Sequence, residues 1–320
     1  MGKLLVLGGT GFVGKSLISS AKIGDFGTIY SSQRGDASTG TTDPTGITPQ
    51  NLVWDIRNIS DLALDFDVII HAATPASATL NNSDPREMFE IIVQGMENVI
   101  EFASRHSVPP IILFTSSGAV YGEIPSSVNH ISEDFPVASD SVGISSAYAE
   151  GKRLAESILR NATLTGVCHG LIARLFAFSG GNLPRDRHFA IGNFVEDAVT
   201  KKKITVRSDG SSIRSYLDEH DMAQWLLSIA RNGIADNVYH VGSERAISIR
   251  NLAFLVSERC EMLTGESIPV EILGLTSQLD GVSRYVPSTA QTRKELGLSE
   301  TISLESSIDS MLQAAILQYS

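Results

Sequence analysis

Lys3 to Gly14, KLLVLGGTGFVG, constrains this chain more than any other stretch. Leu4, Leu5, Val6 and Leu7 form a short unbroken apolar run, the pattern of a parallel strand buried on both faces. Gly8, Gly11 and Gly14 follow at three-residue spacing, and Lys15 to Ala21 then reads as a helix. A glycine-rich turn from strand into helix lets backbone approach a pyrophosphate, while the helix N-terminus offers unpaired N–H groups and a favourable dipole. Gly8, Gly11, Phe12, Val13 and Gly14 are therefore candidate cofactor contacts. The chain reads as opening with a dinucleotide-binding unit, although its spacing is G-x-x-G-x-x-G and not G-x-G-x-x-G.

Further strands and helices alternate behind it. Thr28–Ser31, Asn51–Trp54, Phe66–Ile70 and Ile111–Thr115 read as strands, and Glu87–Arg105 as a long helix with apolar Met88, Ile91, Ile92, Val99 and Phe102. Ile172–Phe176 and Tyr239–Val241 add two more strands. This alternation predicts a parallel, doubly wound α/β sheet. The second strand ends in Ser32-Gln33-Arg34, where a dinucleotide fold reads the adenosine ribose. An acidic residue there accepts from a 2′-hydroxyl, whereas arginine accommodates a 2′-phosphate. Arg34 therefore favours NADP over NAD, with Asp36 the rival for a ribose hydroxyl. Ala72 and Ala73, with Thr74, are small enough to let their strand end lie against a cofactor. His71 reads as a packed histidine.

The 320 residues are 42 % hydrophobic, enough for a sizeable core. Twenty-five basic against 36 acidic residues give a net charge of −11, which argues against a nucleic-acid-binding surface. Two isolated cysteines and seven unclustered histidines suggest neither a disulfide framework nor a metal site. No apolar run reaches membrane-spanning length, and the early first strand leaves no room for a signal peptide, so a soluble cytoplasmic protein is expected.

The strand at 111–115 delivers Thr115-Ser116-Ser117-Gly118-Ala119-Val120-Tyr121 to its carboxyl end, where ligands of open α/β sheets bind. Tyr148 and Lys152 follow, at i and i+4 on one face of a helix. A cation beside a phenol lowers its pKa and makes it usable as a proton donor and acceptor. Glycine turn, strand-end hydroxyl and Tyr-x-x-x-Lys in this order resemble the extended short-chain dehydrogenase/reductases of the nucleotide-sugar epimerase, dehydratase and ketoreductase branch. The resemblance covers nearly the whole chain.

It implies an NAD(P)-dependent enzyme with a Rossmann-like domain at 1–178, rejoined by 214–245, and a nucleotide-sugar-binding domain from 179–213 and 246–320. Tyr148 would be the general acid/base, Lys152 would hold the nicotinamide ribose, and Ser117 would bond the reacting sugar oxygen. Asp55, followed by Ile56, would accept from the adenine amino group. Ala119, Asn193, Arg214 and Arg284 would join Ser117 around a nucleoside-diphosphate sugar, two arginines suiting an anionic substrate. The segment 179–188 would form a lid. A homodimer is implied, built on the helix of Tyr148 and its predecessor, with Met88, Ile91, Val99 and Leu159 either supplying its apolar area or belonging to the core.

Dehydratases and decarboxylating members of the family carry an acid just after the strand-end Ser/Thr. Gly118 and Ala119 supply none, so no 4,6-elimination is expected. Reduction of a 4-keto sugar nucleotide is then favoured. A nucleotide-sugar 4-epimerase holding NAD is the alternative, weakened by Ala177 where epimerases often carry Asn. Ile92 and His240 also stand where relatives frequently have Asn. A non-catalytic NADP-binding redox sensor is a third reading, though such proteins typically lose the tyrosine or lysine that this chain keeps.

Overall fold

A computed structural model describes residues 2–21, 26–34, 49–58, 60–75, 78–137, 147–185, 189–274 and 282–319. In chain order its strands are β1 (Lys3–Leu7), β2 (Thr28–Gln33), β3 (Gln50–Val53), β4 (Val68–His71), β5 (Ile111–Ser117), β6 (His169–Leu175), β7 (Phe178–Ser179), β8 (Ile204–Val206), β9 (Ile213–Arg214), β10 (Leu217–Asp218), β11 (Val238–Val241), β12 (Ile247–Ser248), β13 (Val270–Ile272) and β14 (Arg284–Tyr285). Its α-helices are α1 (Phe12–Ser20), α2 (Ala78–Ser83), α3 (Pro85–Ala103), α4 (Ala147–Leu164), α5 (Ala190–Glu196), α6 (Glu219–Asn232), α7 (Ile249–Thr264), α8 (Ala290–Leu296) and α9 (Leu304–Tyr319).

Seven strands form one parallel sheet in the order β11-β6-β5-β4-β1-β2-β3. The apolar run at its centre has the reason anticipated from the sequence, because side chains alternate across a strand and both faces are covered. Leu4 and Val6 enter a core shared with Leu17 of α1 and Trp225, Leu226 and Ile229 of α6. Leu5 and Leu7 enter the opposite core, with Ile92, Met96, Val99 and Phe102 of α3. β1 pairs with β2 on one side and β4 on the other, so the winding reverses there and opens a crevice at the strands' carboxyl ends.

Two boundaries differ from the sequence pattern in ways that shape the site. α1 starts at Phe12, directly after the glycine turn, with Gly11 as its extended N-cap. Gly14 is thus inside the helix, where an added Cβ would lie 2.2 Å from the Gly8 carbonyl oxygen. β5 runs on to Ser117, so Ser116 and Ser117 are strand residues and their side chains alternate in direction.

Met88, Ile91, Val99 and Leu159, anticipated as dimer-forming residues, all lie in the chain's own second core. A third core joins Ile191 and Val195 of α5, Leu252 and Val256 of α7, and Ile308, Met311 and Leu312 of α9. The tail anticipated as mostly helical also carries β12, β13 and β14. Among the described residues no helix is long and apolar enough to cross a membrane.

One polar layer interrupts the apolar interior. Arg174 forks onto Glu156, donating from Nε at 3.0 Å and from Nη2 at 2.7 Å, and both side chains are buried. Ser116 donates to the same carboxylate. Arg174 also donates to the Tyr121 hydroxyl (2.8 Å), which lies 2.6 Å from His240 Nε2. His240 Nδ1 is 2.8 Å from the Ser288 carbonyl, which can only accept. The proton therefore sits on Nδ1, and Nε2 accepts from Tyr121. Burial pushes this imidazole down to about 4, so it is neutral at physiological pH.

Removing one partner of a buried pair strands the other charge. Glu156→Ala is expected to lower unfolding free energy by about 3–5 kcal/mol, read by urea denaturation. Adding Arg174→Met should recover part of that loss; a double variant no more stable than Glu156→Ala would contradict this account.

Candidate active site

The crevice beside β1 is lined by Gly8, Thr10, Gly11, Ser32, Gln33, Arg34, Trp54, Asp55, Ile56, Arg57, Ala72, Ala73, Thr74, Pro75 and Ile91. Its floor is backbone. Gly8 has φ +84°, and a Cβ there would sit 2.7 Å from the Ala72 carbonyl oxygen and the Ala73 Cα. The N-terminus of α1 has no side-chain cap and no acidic residue in its first turn. Unpaired N–H groups at a bare helix end suit an anionic group, and the glycine floor lets it approach. These residues fit a dinucleotide pyrophosphate. Phe12 and Gly14 act behind this surface: Phe12 stacks at 6.2 Å on Phe178, and Gly14 packs on the turn. Val13 packs against the α1–α6 core.

At the adenosine end, β2 and β3 finish side by side, tied by Trp54 N–H donating to the Gln33 carbonyl at 3.0 Å. Ser32 is a buried strand residue whose hydroxyl faces the Gly8 amide. Arg34 is exposed at the strand end and has no hydrogen-bond or ion-pair partner among the described residues. Asp55 takes a fork from Arg57: Nε donates to its two oxygens at 3.0 Å and Nη2 at 2.5 Å, while the Arg57 N–H adds 3.0 Å. This arrangement holds the Asp55 carboxyl below its ordinary range, with Arg34 adding to the effect through its charge. Asp36 lies outside the described residues.

At the reacting end, α4 brings Tyr148 and Lys152 against β5. The Tyr148 N–H is received by Asn81 Oδ1 of α2 at 2.9 Å. Gly151 lets α4 sit tightly on α3, since a Cβ there would meet Ile92 Cδ1 at 3.0 Å. Lys152 is 2 % exposed, and its Nζ donates to the Thr115 carbonyl at 2.7 Å. That Nζ lies 4.5 Å from the Phe114 ring centroid and 5.7 Å from that of Tyr148. An ammonium has three donors, so two are left without an acceptor among the described residues. Burial pushes Lys152 down to about 7, opposed by the charge of Glu156 one turn along the helix.

The sequence pattern suggested that the lysine would lower the Tyr148 pKa. Instead, burial raises the phenol, and hydrogen bonding with Ser117 offsets this in part. Ser117 Oγ also accepts from the Ala119 N–H at 3.1 Å. His71 is fully buried beside Phe114, and neither ring nitrogen has a hydrogen-bond partner among the described residues. Burial and the nearby Lys152 charge hold it down to about 3, a neutral packed imidazole.

Tyr285 completes this end, and the sequence reading passed over it for its neighbour Arg284. β14 pairs with β9 so that Tyr285 lies opposite Arg214 and Arg284 opposite Ile213. Strand alternation then puts Arg284 on the other face from Tyr285 and Arg214. The Tyr285 ring packs at 4.8 Å on Phe176, its hydroxyl is 3.5 Å from the Leu175 carbonyl, and Ser117 hydrogen bonding acts on it as on Tyr148. An added Cβ at Gly118 would lie 2.5 Å from the Tyr285 hydroxyl and 2.7 Å from Phe176. Arg214 Nη1 donates to the Ile213 and Ser283 carbonyls at 2.8 and 3.2 Å. Asn193 is exposed on α5. Of the expected lid, residues 186–188 lie outside those described.

Residues 4–242 match the NAD dependent epimerase/dehydratase family. UDP-glucuronic acid decarboxylase 1 of Arabidopsis thaliana is 26 % identical over 325 residues, covering 97 % of this chain and 69 % of the relative. Decarboxylase 6 of the same plant is 25 % identical over 321 residues, covering 97 % and 87 %. Among solved structures, RMD from Pseudomonas aeruginosa complexed with NADPH superposes with a TM-score of 0.81 at 21 % identity, over 99 % of this chain and 100 % of the other. UDP-glucuronic acid 4-epimerase from Bacillus cereus, in complex with UDP-glucuronic acid and NAD, gives 0.81 at 20 % identity over 99 % and 100 %. The glycine turn, the crevice at the strand reversal and the Ser117–Tyr148–Lys152 cluster fall within the matched span, and the chain belongs to the NAD dependent epimerase/dehydratase family as an NAD(P)-dependent enzyme.

Proposed function

We propose that the chain uses NADPH to reduce the 4-keto group of a nucleoside-diphosphate sugar, with Tyr148 exchanging the proton at the C4 oxygen. The observation that carries this reading is the pairing of a Ser117–Tyr148–Lys152 cluster with two acid-free positions after the serine. Neither Gly118 nor Ala119 supplies a carboxyl group to serve elimination or decarboxylation, and Tyr285 and Phe176 pack over Gly118.

Gly8, Gly11 and the start of α1, with Phe12, Val13 and Gly14 shaping the turn, hold the pyrophosphate. Asp55 and Ile56 take the adenine, Arg34 a 2′-phosphate, and Ala72, Ala73 and Thr74 flank the cofactor's length. Lys152 directs its two remaining N–H donors to the nicotinamide ribose. Ser117, Ala119, Asn193 and Arg214 receive the sugar nucleotide, while Arg284, on the other strand face from Arg214, does not join them. When bound, the nicotinamide supplies the hydride for C4. Ser117 orients the C4 oxygen, and the raised phenol of Tyr148 keeps its proton until negative charge develops on that oxygen. The Lys152 ammonium stabilises the phenolate left behind.

Likeness to an NADPH-bound structure supports the cofactor, and the exposed Arg34 at the end of β2, with no hydrogen-bond partner among the described residues, supports it independently. The decarboxylation named for the plant relatives is not carried over, because Gly118 and Ala119 offer no acid. Likeness to a UDP-glucuronic acid 4-epimerase keeps epimerisation as the second reading.

Purified protein given NADPH and a nucleoside-diphosphate 4-keto-6-deoxyhexose should oxidise NADPH and yield the 4-hydroxy sugar. Tightly retained NAD, with interconversion of C4 epimers and no net reduction, would establish the epimerase instead. Tyr148→Phe should lower kcat by about 10²–10⁴-fold while NADPH affinity changes less than threefold.

Lys152 also makes stability depend on pH. Below pH 7 it is protonated in both states, and the folded chain bears the full penalty of a buried ammonium. Between about 7 and its ordinary value of 10.5 the folded chain releases this proton while the unfolded chain keeps it, so stability rises with pH. Lys152→Met lacks the penalty. Its Tm relative to wild type should be highest below pH 7 and should converge towards pH 10; a difference independent of pH would refute the assignment.

A further inference from the structure

We infer that Arg57 is a second ligand for the adenosine 2′-phosphate, acting beside Arg34 and pre-oriented by Asp55. The inference rests on the NADP reading above.

The two guanidinium groups come from adjacent strand ends. β2 and β3 stay in register to Gln33 and Val53, and the Trp54 N–H then donates to the Gln33 carbonyl. Arg34 leaves one strand end and Asp55-Ile56-Arg57 the other, and Arg34, Asp55 and Arg57 all line one crevice. The Arg34 charge is close enough to act on the Asp55 carboxyl. Ser32 supplies a hydroxyl between them and the glycine turn.

A guanidinium carries five N–H donors in a planar fork. Asp55 occupies the Nε side and one Nη2 position of Arg57, leaving three donors free to meet a phosphate. Because the Arg57 side chain is 47 % exposed, its pairing with Asp55 contributes little to stability. Fixing the fork beforehand is what it accomplishes, since an ordered cation loses less freedom when an anion arrives. Glu87 also acts on Arg57 through its charge, though among the described residues Asp55 alone receives its hydrogen bonds. Among the described residues lining the crevice, two cations outweigh the single carboxylate, an excess that a phosphate uses and a bare ribose hydroxyl does not.

The test measures equilibrium binding of NADPH, NADH, adenosine 2′,5′-bisphosphate and AMP to wild type and to Arg34→Ala, Arg57→Gln and Arg57→Lys proteins. Arg57→Gln should weaken NADPH and the bisphosphate at least tenfold while NADH and AMP change less than threefold, with Arg57→Lys intermediate. The salt dependence of NADPH binding should fall in Arg57→Gln, because one fewer cation meets the phosphate. Equal weakening of all four ligands would overturn the inference and make Arg57 a support for Asp55 at the adenine. Loss of NADPH preference in Arg34→Ala alone would overturn it too, leaving the NADP reading intact. Wild type favouring NADH would remove both.

Discussion

The structure depends on backbone meeting backbone where β1 turns into α1. A side chain at Gly14 would overlap the Gly8 carbonyl, and one at Gly8 would overlap the end of β4. Removing both Cβ atoms lets the helix start at once and lets β4 approach the turn. The first N–H groups of α1 are thereby aimed along the seam at which the sheet reverses. Crevice, helix end and strand reversal coincide because of that contact, and each would be displaced by a wider turn. The sheet around it is stabilised ordinarily, by apolar burial on both faces.

A second constraint is electrostatic. Lys152 brings an ammonium into the interior, where, among the described residues, a carbonyl, two aromatic faces and the carboxylate of Glu156 favour its charge. Glu156 is itself held by Arg174 and Ser116, and Arg174 continues through Tyr121 and His240 to the Ser288 carbonyl. That segment follows directly on β14, which supplies Tyr285. The polar layer therefore ties α4, which carries Tyr148, to the segment after β14, which carries Tyr285. The forced His240 tautomer explains how histidine serves where relatives frequently have asparagine: one nitrogen donates to a carbonyl, the other accepts from a phenol.

Much of this was legible because period and spacing carry it. A doubly buried strand must be continuously apolar, a glycine turn must precede its helix, and Tyr148 and Lys152 must share a helical face. What escaped depends on contacts between distant segments. Phe12 and Gly14 read as ligand contacts, and neither lines the crevice with a side chain: the Phe12 ring packs on Phe178 and Gly14 on the turn. Met88 and Ile91 looked available for a partner, yet the second core takes them. Tyr285 was one residue from Arg284, and only the pairing of β14 with β9 decides which of them faces Arg214. The tyrosine's pKa was misjudged for a similar reason: helical spacing sets the proximity of a charge, but desolvation is a property of the whole surroundings.

Position 118 shows how such a contact decides chemistry. An acid following the strand-end serine needs room above that serine, and in this chain a phenol from β14 and the ring of Phe176 occupy that room. The glycine and the tyrosine are therefore one unit: enlarging the first requires withdrawing the second. A phenol whose proton is retained through burial can donate a hydrogen bond but cannot serve as a base near neutrality. Burial raises Tyr148 in the same direction, so two phenols that keep their protons share Ser117, and the proposed reduction requires only that one of them give up its proton as charge develops on the C4 oxygen.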